Sequence, residues 1–266
     1  MMPVRRLTRS AGAAGVALFA VLWMEQQWAA HHDFPSFPDL DPSGEFGDPN
    51  RPLRTLGLLG DSTITGPGLD SADEIWVRQL IPQLTDRYRI RIDSFAFGGA
   101  RLNDVLHTQI EETSTGYDMV LVSAGSNDAL RGMTQLQMRQ VLRAICSALL
   151  ERSKTVVLAG AGDIGTAPRL PFPLSAIATS RARATHASHG RAAAESDRIF
   201  HIPMWELTTA TYRSDKHLFS EDRFHPNKRG HAVWAEAALP TILEALEFSS
   251  ALPDRPPAAD RVFEDR

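Results

Sequence analysis

A serine and a distant acid–histidine pair could together carry out nucleophilic catalysis. Ser62 follows an apolar run in the segment Gly60-Asp61-Ser62, and Asp222 lies three residues before His225. A serine hydroxyl becomes an effective nucleophile only when a base removes its proton, and the base in turn needs a group that orients it. The candidate catalytic residues are therefore Ser62 as nucleophile, His225 as base and Asp222 as orienting carboxylate.

Two further segments lie between Ser62 and Asp222 in the sequence, each directly after a strand-like run. They are Gly99 and Gly125-Ser126-Asn127-Asp128. Taken singly, each segment has a structural explanation, because Gly-Asp-Ser is a common turn and Asp128 could be a helix N-cap. Their occurrence in one chain, each after a strand, favours the catalytic interpretation.

The elements that must position these residues alternate between strand and helix. Five short apolar runs predict strands at residues 53–59, 89–97, 119–124, 155–159 and 198–203. Helical spacing predicts helices at residues 75–88, 102–110, 135–152, 175–195 and 227–248, the last interrupted around Pro240. This order predicts an α/β fold, a three-layer α/β/α sandwich with a five-stranded parallel sheet. The carboxyl ends of such strands meet at one edge, where we expect the candidate residues to converge.

In this order the four segments resemble the SGNH subgroup of the GDSL serine hydrolases, over most of residues 53–246. The C-terminal part, from Phe224 to Glu236, is similar to that of exported actinobacterial-type members. The resemblance implies a flavodoxin-like SGNH hydrolase fold and ester hydrolysis through an acyl-enzyme on Ser62. It also implies an oxyanion hole formed by the backbone N–H groups of Ser62 and Gly99 and the side-chain amide of Asn127.

The segments also depart from the family pattern and from other hydrolase patterns. Thr63 stands where the GDSL motif has leucine, and Asp61 is interpreted as a residue that braces the loop. The glycine pair Gly98-Gly99 is aligned on Gly99, because Ala100 and Arg101 then match the residues that come after the family glycine. An α/β-hydrolase elbow is excluded, since Ile64 occupies the position of its second glycine.

Neither a cofactor nor a metal is predicted. Residues 160–165 match the spacing of a dinucleotide-binding loop, but they follow the fourth strand and precede prolines instead of a helix. A loop that lines the substrate cleft is the favoured interpretation. The histidines show no metal-ligand spacing, and His231 is interpreted as a surface or packing residue on the last helix.

The net charge and the single cysteine exclude two features of the protein. The net charge of −4 gives no electrostatic argument for nucleic acid. The single cysteine, Cys146, lies in an apolar helical stripe, which predicts a buried core residue and excludes an internal disulfide.

The N-terminal residues 1–30 are predicted to be a signal peptide or membrane anchor. Arginines precede an apolar run at residues 11–24, and the ionised residues from 25 to 48 are all acidic. The run is shorter than the ~20 residues of a spanning helix. Trp28 occupies a position that a cleavage site would give to a small residue, so the sequence leaves cleavage open. We therefore expect an exported protein, either secreted or anchored to the cell membrane.

Composition also predicts the boundaries of the other segments of the chain. Residues 31–52 are predicted to be a proline-rich tether, residues 53–249 the hydrolase domain and residues 250–266 a flexible C-terminal tail.

Loops at residues 65–74 and 163–174 are predicted to set specificity. The second contains Leu170, Phe172 and Leu174 as candidate lining of an apolar pocket.

The predicted function is a serine hydrolase that cleaves a small acyl ester, a lipid or an acylated glycan. Two alternatives stay open at this level. One is a thioesterase or lysophospholipase-type acyl hydrolase, in which Ser62 and His225 would serve equally well. The other is a catalytically inactive carbohydrate-binding or scaffold protein of the same fold, which the loss of a catalytic residue would favour.

Overall fold

Six strands form one mixed sheet in the computed structural model, which describes Met24, residues 34–160 and residues 162–253. The strands are β1 (Gly44–Phe46), β2 (Leu53–Gly60), β3 (Arg89–Ser94), β4 (Tyr117–Ser123), β5 (Ser153–Ala159) and β6 (Ile199–Ile202). Their order across the sheet is β1-β3-β2-β4-β5-β6. Strands β2 to β6 pair in parallel, and β1 pairs antiparallel to β3 at the edge.

Helices connect the strands and cover both faces of the sheet. They are α1 (Ser62–Thr65), α2 (Trp76–Gln79), α3 (Ile81–Thr85), α4 (Leu102–Asp104), α5 (Ile110–Glu112), α6 (Ser126–Leu130), α7 (Gln135–Leu150), α8 (Leu174–Ala193), α9 (Met204–Ser214) and α10 (Lys228–Ala251). A π-helical turn, Val105–Gln109, joins α4 to α5. Short 3₁₀ turns lie at Ala72–Glu74, Ile164–Thr166 and Lys216–Leu218.

The sheet has an apolar cluster on each face, as the continuous apolar runs of its strands predict. Along β4, Met119 and Leu121 belong to one cluster, while Val120 and Val122 belong to the other. This alternation results from the two-residue period of a strand. The three-layer α/β/α architecture is confirmed, with a sixth strand added at the edge, and Cys146 is buried.

The largest difference from the sequence prediction lies in residues 34–52. These residues, predicted to be part of a tether, pack against the domain: β1 pairs with β3, and the backbone N–H of Leu40 donates to the Thr65 carbonyl at 2.8 Å. The guanidinium of Arg78 lies 4.0 Å from the centre of the Phe46 ring. Isolated contacts of this kind have no sequence period, so composition alone suggests a linker.

Two helix predictions also differ from the structure. The predicted helix at residues 75–88 is divided into α2 and α3 at Leu80, just before Pro82, which has no N–H to continue the hydrogen-bond ladder. Pro240, in contrast, does not interrupt α10. The helix packs along the sheet through buried residues such as Ile242 and Leu246, and this packing offsets the lost hydrogen bond.

Within residues 34–160 and 162–253, none of the helices combines the length and apolar character needed to cross a membrane. The predicted signal or anchor lies outside the described residues except for Met24. Most of the predicted C-terminal tail, residues 254–266, also lies outside them.

Candidate active site

The candidate nucleophile lies where β2 ends in a sharp turn. Gly60 has φ +151°, and a Cβ at this position would lie 2.1 Å from the Ser123 carbonyl oxygen, so only glycine fits. The N–H of Asp61 then donates to the same oxygen at 3.0 Å. Asp61 caps α1 by accepting from the N–H of Thr63 at 3.0 Å, which places Ser62 at the first position of the helix.

Ser62, His225 and Asp222 form a continuous hydrogen-bonded relay. Ser62 Oγ lies 3.2 Å from His225 Nε2, and His225 Nδ1 lies 2.6 Å from Asp222 Oδ2. The other carboxylate oxygen, Asp222 Oδ1, accepts from the backbone N–H groups of Phe224 and His225 at 2.9 and 3.0 Å. This arrangement can move a proton from the serine hydroxyl to the imidazole.

The environment of Asp222 keeps its carboxyl group ionised. Burial alone raises its pKa, but the hydrogen bonds from His225 and from the two backbone N–H groups lower it more, so the net pKa lies below its ordinary value. An ionised carboxylate is an acceptor only. It therefore holds the imidazole with a proton on Nδ1 and leaves the lone pair of Nε2 facing Ser62.

The candidate oxyanion donors include two backbone N–H groups, those of Ser62 and Gly99. Within the described part of the chain, neither Ser62 N–H nor Gly99 N–H donates to a protein group. Gly99 has φ +77°, and a Cβ there would meet no atom within 4 Å, so the space beside its Cα is open. Donors of this kind can stabilise an oxyanion that forms at the serine.

The side-chain amide of Asn127, in contrast, already has two acceptors. Its Nδ2 donates to the Ala100 carbonyl at 3.0 Å and makes a longer contact of 3.4 Å with Asp61 Oδ2. Asn127 belongs to α6, which begins directly after the loop that follows β4. The structure thus brings Ser62, Gly99 and Asn127 to one edge of the sheet, from three different strand ends.

A largely apolar cavity of about 100 Å³ opens beside Ser62 and His225. Its walls include aromatic and apolar side chains together with the glycine-rich loop after β5: Trp76, Met204, Tyr212, Phe219, Trp234, Gly160, Gly162 and Ile164. The prediction that this loop lines a cleft is confirmed.

The two loops predicted to set specificity contribute to this cavity only in part: the loop at residues 163–174 lines it through Asp163, Ile164, Thr166 and Ala167. Leu170, Phe172 and Leu174 are absent from its walls, and Phe172 is 80% exposed. Residues 66–74 do not contribute to the cavity. Helix α9 supplies Met204, Thr208 and Tyr212 to the walls, and α10 supplies Trp234. In the sequence these residues show no pattern that predicts a pocket.

His231, predicted to be a surface or packing residue, is buried and supports a wall of this cavity. Its Nδ1 accepts from the backbone N–H of Trp76 at 3.1 Å, and its ring packs edge-on against Trp234. Burial, helped by the nearby His225, lowers the pKa of His231 to about 3. The neutral ring is thus available as an acceptor at all ordinary pH values.

Among the described residues, no group of three or more histidine, cysteine, aspartate or glutamate side chains is arranged to hold a metal ion.

Asp61 is expected to make the stability of the protein pH-dependent. Burial raises its pKa from 3.8 to about 6, although the Thr63 N–H and His225 act in the opposite direction. The folded state then holds the proton more tightly than the unfolded state, so this stabilisation is complete below about pH 4 and is lost as the pH rises through about 6. The shift corresponds to about 3 kcal/mol.

The Asp61→Asn variant tests this expectation, since asparagine can still cap α1 through its side-chain oxygen. Urea unfolding at about pH 4 and pH 7 should show the variant gaining about 3 kcal/mol relative to the wild-type protein at the higher pH. Parallel pH profiles for the two proteins would contradict the expectation.

Comparison with known proteins is consistent with this site. The profile of the GDSL-like Lipase/Acylhydrolase family matches residues 58–233. A GDSL-like esterase of Mycobacterium tuberculosis is 29% identical over 207 residues, which cover 74% of this chain. The matched region spans 64% of that relative, less than two thirds of its length.

Two solved structures share the fold. TesA has a TM-score of 0.57 at 24% identity, covering 72% of this chain and 99% of its own. The extracellular lipase from Streptomyces rimosus has a TM-score of 0.55 at 19% identity, again covering 72% of this chain and 99% of its own. Because the family profile spans more than half of the sequence, the chain belongs to the GDSL-like lipase/acylhydrolase family.

Proposed function

We propose that this protein is a serine hydrolase that cleaves carboxylic esters through an acyl-enzyme on Ser62. The observation that carries the proposal is the relay from Ser62 Oγ through His225 to Asp222, with both imidazole nitrogens within hydrogen-bond distance of their partners. Membership of the family supports ester hydrolysis in general. The non-catalytic alternative loses support, because all three side chains are present and connected.

In the proposed mechanism, Ser62 Oγ attacks the ester carbonyl carbon while its proton passes to His225 Nε2. The carbonyl π electrons move to the oxygen, and Asp222 stabilises the imidazolium that forms. Collapse of the tetrahedral intermediate breaks the bond to the alkoxide, which takes the proton from Nε2 and leaves as the alcohol. Water then repeats these steps on the acyl-enzyme and releases the carboxylic acid and free Ser62.

The developing oxyanion would be stabilised by the N–H groups of Ser62 and Gly99, for which the described residues supply no other acceptor. Asn127 would join them by exchanging its long contact with Asp61 for the oxyanion, while it keeps the shorter bond to Ala100. A single donor of this kind contributes ~10²–10³ in rate.

The cavity volume points to short acyl groups. A cavity of about 150 Å³ holds a benzene molecule. The volume of about 100 Å³ beside Ser62 therefore has room for about four carbon atoms. Its walls are largely apolar, which suits an unsubstituted acyl chain.

We therefore expect the purified protein to hydrolyse p-nitrophenyl acetate and butyrate, and to lose kcat/KM steeply with longer acyl chains. The measurement is a chain-length series of p-nitrophenyl esters. A flat profile from acetate to dodecanoate would contradict the proposed size limit, and no hydrolysis of any ester would contradict the function.

Replacing a residue of the cavity wall with a smaller one should allow the enzyme to accept longer acyl chains. Met204 is buried and lines the cavity, so Met204→Ala is expected to raise kcat/KM for the hexanoate relative to the butyrate about tenfold. Met138 is equally buried but belongs to the cluster on the other face of the sheet, which makes Met138→Ala the matched control. Each variant is expected to lose about 2–5 kcal/mol of stability. An identical chain-length profile in both variants would contradict the assignment of the cavity to the acyl chain.

We further propose that the protein is exported, on the basis of the charge pattern and apolar run at its N-terminus. Phe34 lies against Arg169, with the guanidinium 4.3 Å from the ring centre. If residues 11–24 stay in the membrane, the ten residues from Met24 to Phe34 reach at most ~35 Å. The active site would then remain near envelope lipids and wall polymers. Recovery of a tagged full-length chain only in the cytoplasmic fraction would contradict export.

A further inference from the structure

We propose that Asp39 is a positioning residue for the reaction: it fixes the oxyanion loop, defined as Phe97–Ala100, relative to the helix that carries the nucleophile. The inference rests on the proposed function. It assigns a role in the chemistry to one residue of the segment 34–43, named here the strap, whose composition suggests only a linker.

The carboxylate of Asp39 connects two parts of the site that the sheet does not connect. Its Oδ2 accepts from the backbone N–H of Gly98 at 2.8 Å, and its Oδ1 accepts from the Thr65 hydroxyl at 2.6 Å. Thr65 is the last residue of α1, which begins with Ser62. Gly98 directly precedes Gly99, whose N–H is a proposed oxyanion donor. The next strap residue, Leu40, adds a backbone hydrogen bond to the Thr65 carbonyl.

The oxyanion loop has few other restraints. Phe97 N–H donates to the Gly60 carbonyl at 3.3 Å, and Asn127 donates to the Ala100 carbonyl at 3.0 Å. The Ala100 N–H also donates to the Phe97 carbonyl at 3.3 Å, which closes a turn across the loop. Between these two points lies the pair Gly98-Gly99, and glycine has the greatest backbone freedom of any residue. The bond from Asp39 acts on this pair. Without it, the direction of the Gly99 N–H would depend on the turn bond and the two flanking bonds.

Gly98 is shaped for this contact. A Cβ at Gly98 would lie 2.7 Å from Asp39 Oδ1, so a larger residue here would push the carboxylate away from its present position. A hydrogen bond to an ionised carboxylate is also stronger than a bond between neutral groups. Asp39 is exposed and contributes no apolar packing, so these hydrogen bonds are the contacts through which it would act.

The experiment compares Asp39→Ala with two matched variants in the full-length chain. In Asp39→Asn, the side-chain oxygen can accept from Gly98 and the amide can donate to the Thr65 hydroxyl. Asp41 lies on the strap but accepts only from the nearby Ser43 N–H among the described residues, so Asp41→Ala removes a carboxylate without touching the loop. The readouts are kcat and KM for p-nitrophenyl butyrate, the inhibition constant of a trifluoromethyl ketone, and the melting temperature.

We expect Asp39→Ala to lower kcat about tenfold, because a misplacement of about 1 Å in a reacting group costs up to ~10²-fold. KM should stay within about twofold, since the ground-state carbonyl makes little use of the oxyanion donors. The trifluoromethyl ketone, which forms an oxyanion on the serine, should bind about tenfold more weakly. Asp39→Asn should restore most of both losses, and Asp41→Ala should match the wild-type protein.

The inference would be overturned by unchanged kcat in Asp39→Ala, by a change confined to KM, or by an Asp39→Asn variant as impaired as Asp39→Ala at the same melting temperature. A fall in kcat that is matched by Asp41→Ala would also overturn it, because the effect would then belong to the strap in general. If the wild-type chain does not react with any ester, the proposed function fails as well. Normal wild-type turnover beside an unaffected Asp39→Ala variant would overturn this inference alone.

Discussion

Replacing Asp222 with asparagine is expected to lower kcat about 10⁴-fold while the protein stays folded. The loss follows from the orientation that the backbone imposes on the side chain of residue 222. Asp222 Oδ1 accepts from two backbone N–H groups, so the single oxygen of an asparagine will take that position. The amide NH₂ then faces His225 Nδ1 and donates to it. This forces the imidazole proton onto Nε2, which can no longer accept the proton of Ser62.

The neighbouring residue provides a control of equal charge. Glu221 is exposed, and Glu221→Gln removes one negative charge next to the same loop. We expect this variant to keep kcat within about twofold, because solvent and salt screen an exposed charge much more than a buried one. Steady-state kinetics on p-nitrophenyl butyrate at one fixed pH distinguishes the two variants. An Asp222→Asn variant with more than a tenth of wild-type kcat would show that the carboxylate does not orient the base.

Removing the nucleophile should have the largest effect of any single substitution. Ser62→Ala is expected to lower kcat by about 10⁶-fold, the loss seen when the nucleophilic serine of a triad is removed. The hydroxyl contributes no buried core contact, and among the described residues its hydrogen bond is to His225, so the melting temperature should change little. Rates are measured with an excess of enzyme over substrate, so that a residual activity can be quantified.

Ser71→Ala is the matched control for the nucleophile variant. Ser71 is exposed and makes no capping hydrogen bond through its side chain, so its removal should leave kcat unchanged. Wild-type turnover in Ser62→Ala would place the reaction elsewhere in the molecule and contradict the triad.

The parts of the site that are predictable from the sequence share one property. Ser62, Gly99 and Asn127 each follow an apolar run, and the carboxyl ends of parallel strands meet at one edge of the sheet. Asp222 and His225 are close together in the chain, so their mutual contact needs no knowledge of the fold. For these residues, local pattern and topology together are sufficient.

The residues that the sequence does not reveal act through contacts between distant segments. Asp39 reaches Gly98 across 59 positions, and His231 reaches Trp76 across 155. No local pattern in the sequence predicts such a bond, because neither an aspartate in a proline-rich segment nor a histidine on a helix reveals its distant partner. Strand β1 escapes prediction for a related reason: its three residues, Gly44–Phe46, are too few to show the alternation of a strand.

Helix α9 also escapes prediction, although its neighbours are located. Met204–Ser214 contains three threonines, which have modest helix propensity, and its apolar residues face the cavity as well as the core. The acyl cavity therefore depends on an element whose position becomes clear only in the folded protein. For this reason the proposed limit on substrate size comes from the structure and not from the sequence.

The central claim, that Ser62 is an activated nucleophile, is tested most directly by covalent labelling. The full-length chain is treated with a fluorophosphonate, digested, and the modified peptide is identified by mass spectrometry. The proposed mechanism predicts one adduct, on Ser62, which forms much more slowly in Asp222→Asn and is absent in Ser62→Ala. A folded wild-type protein that carries no adduct, or carries it on another serine, would contradict the claim.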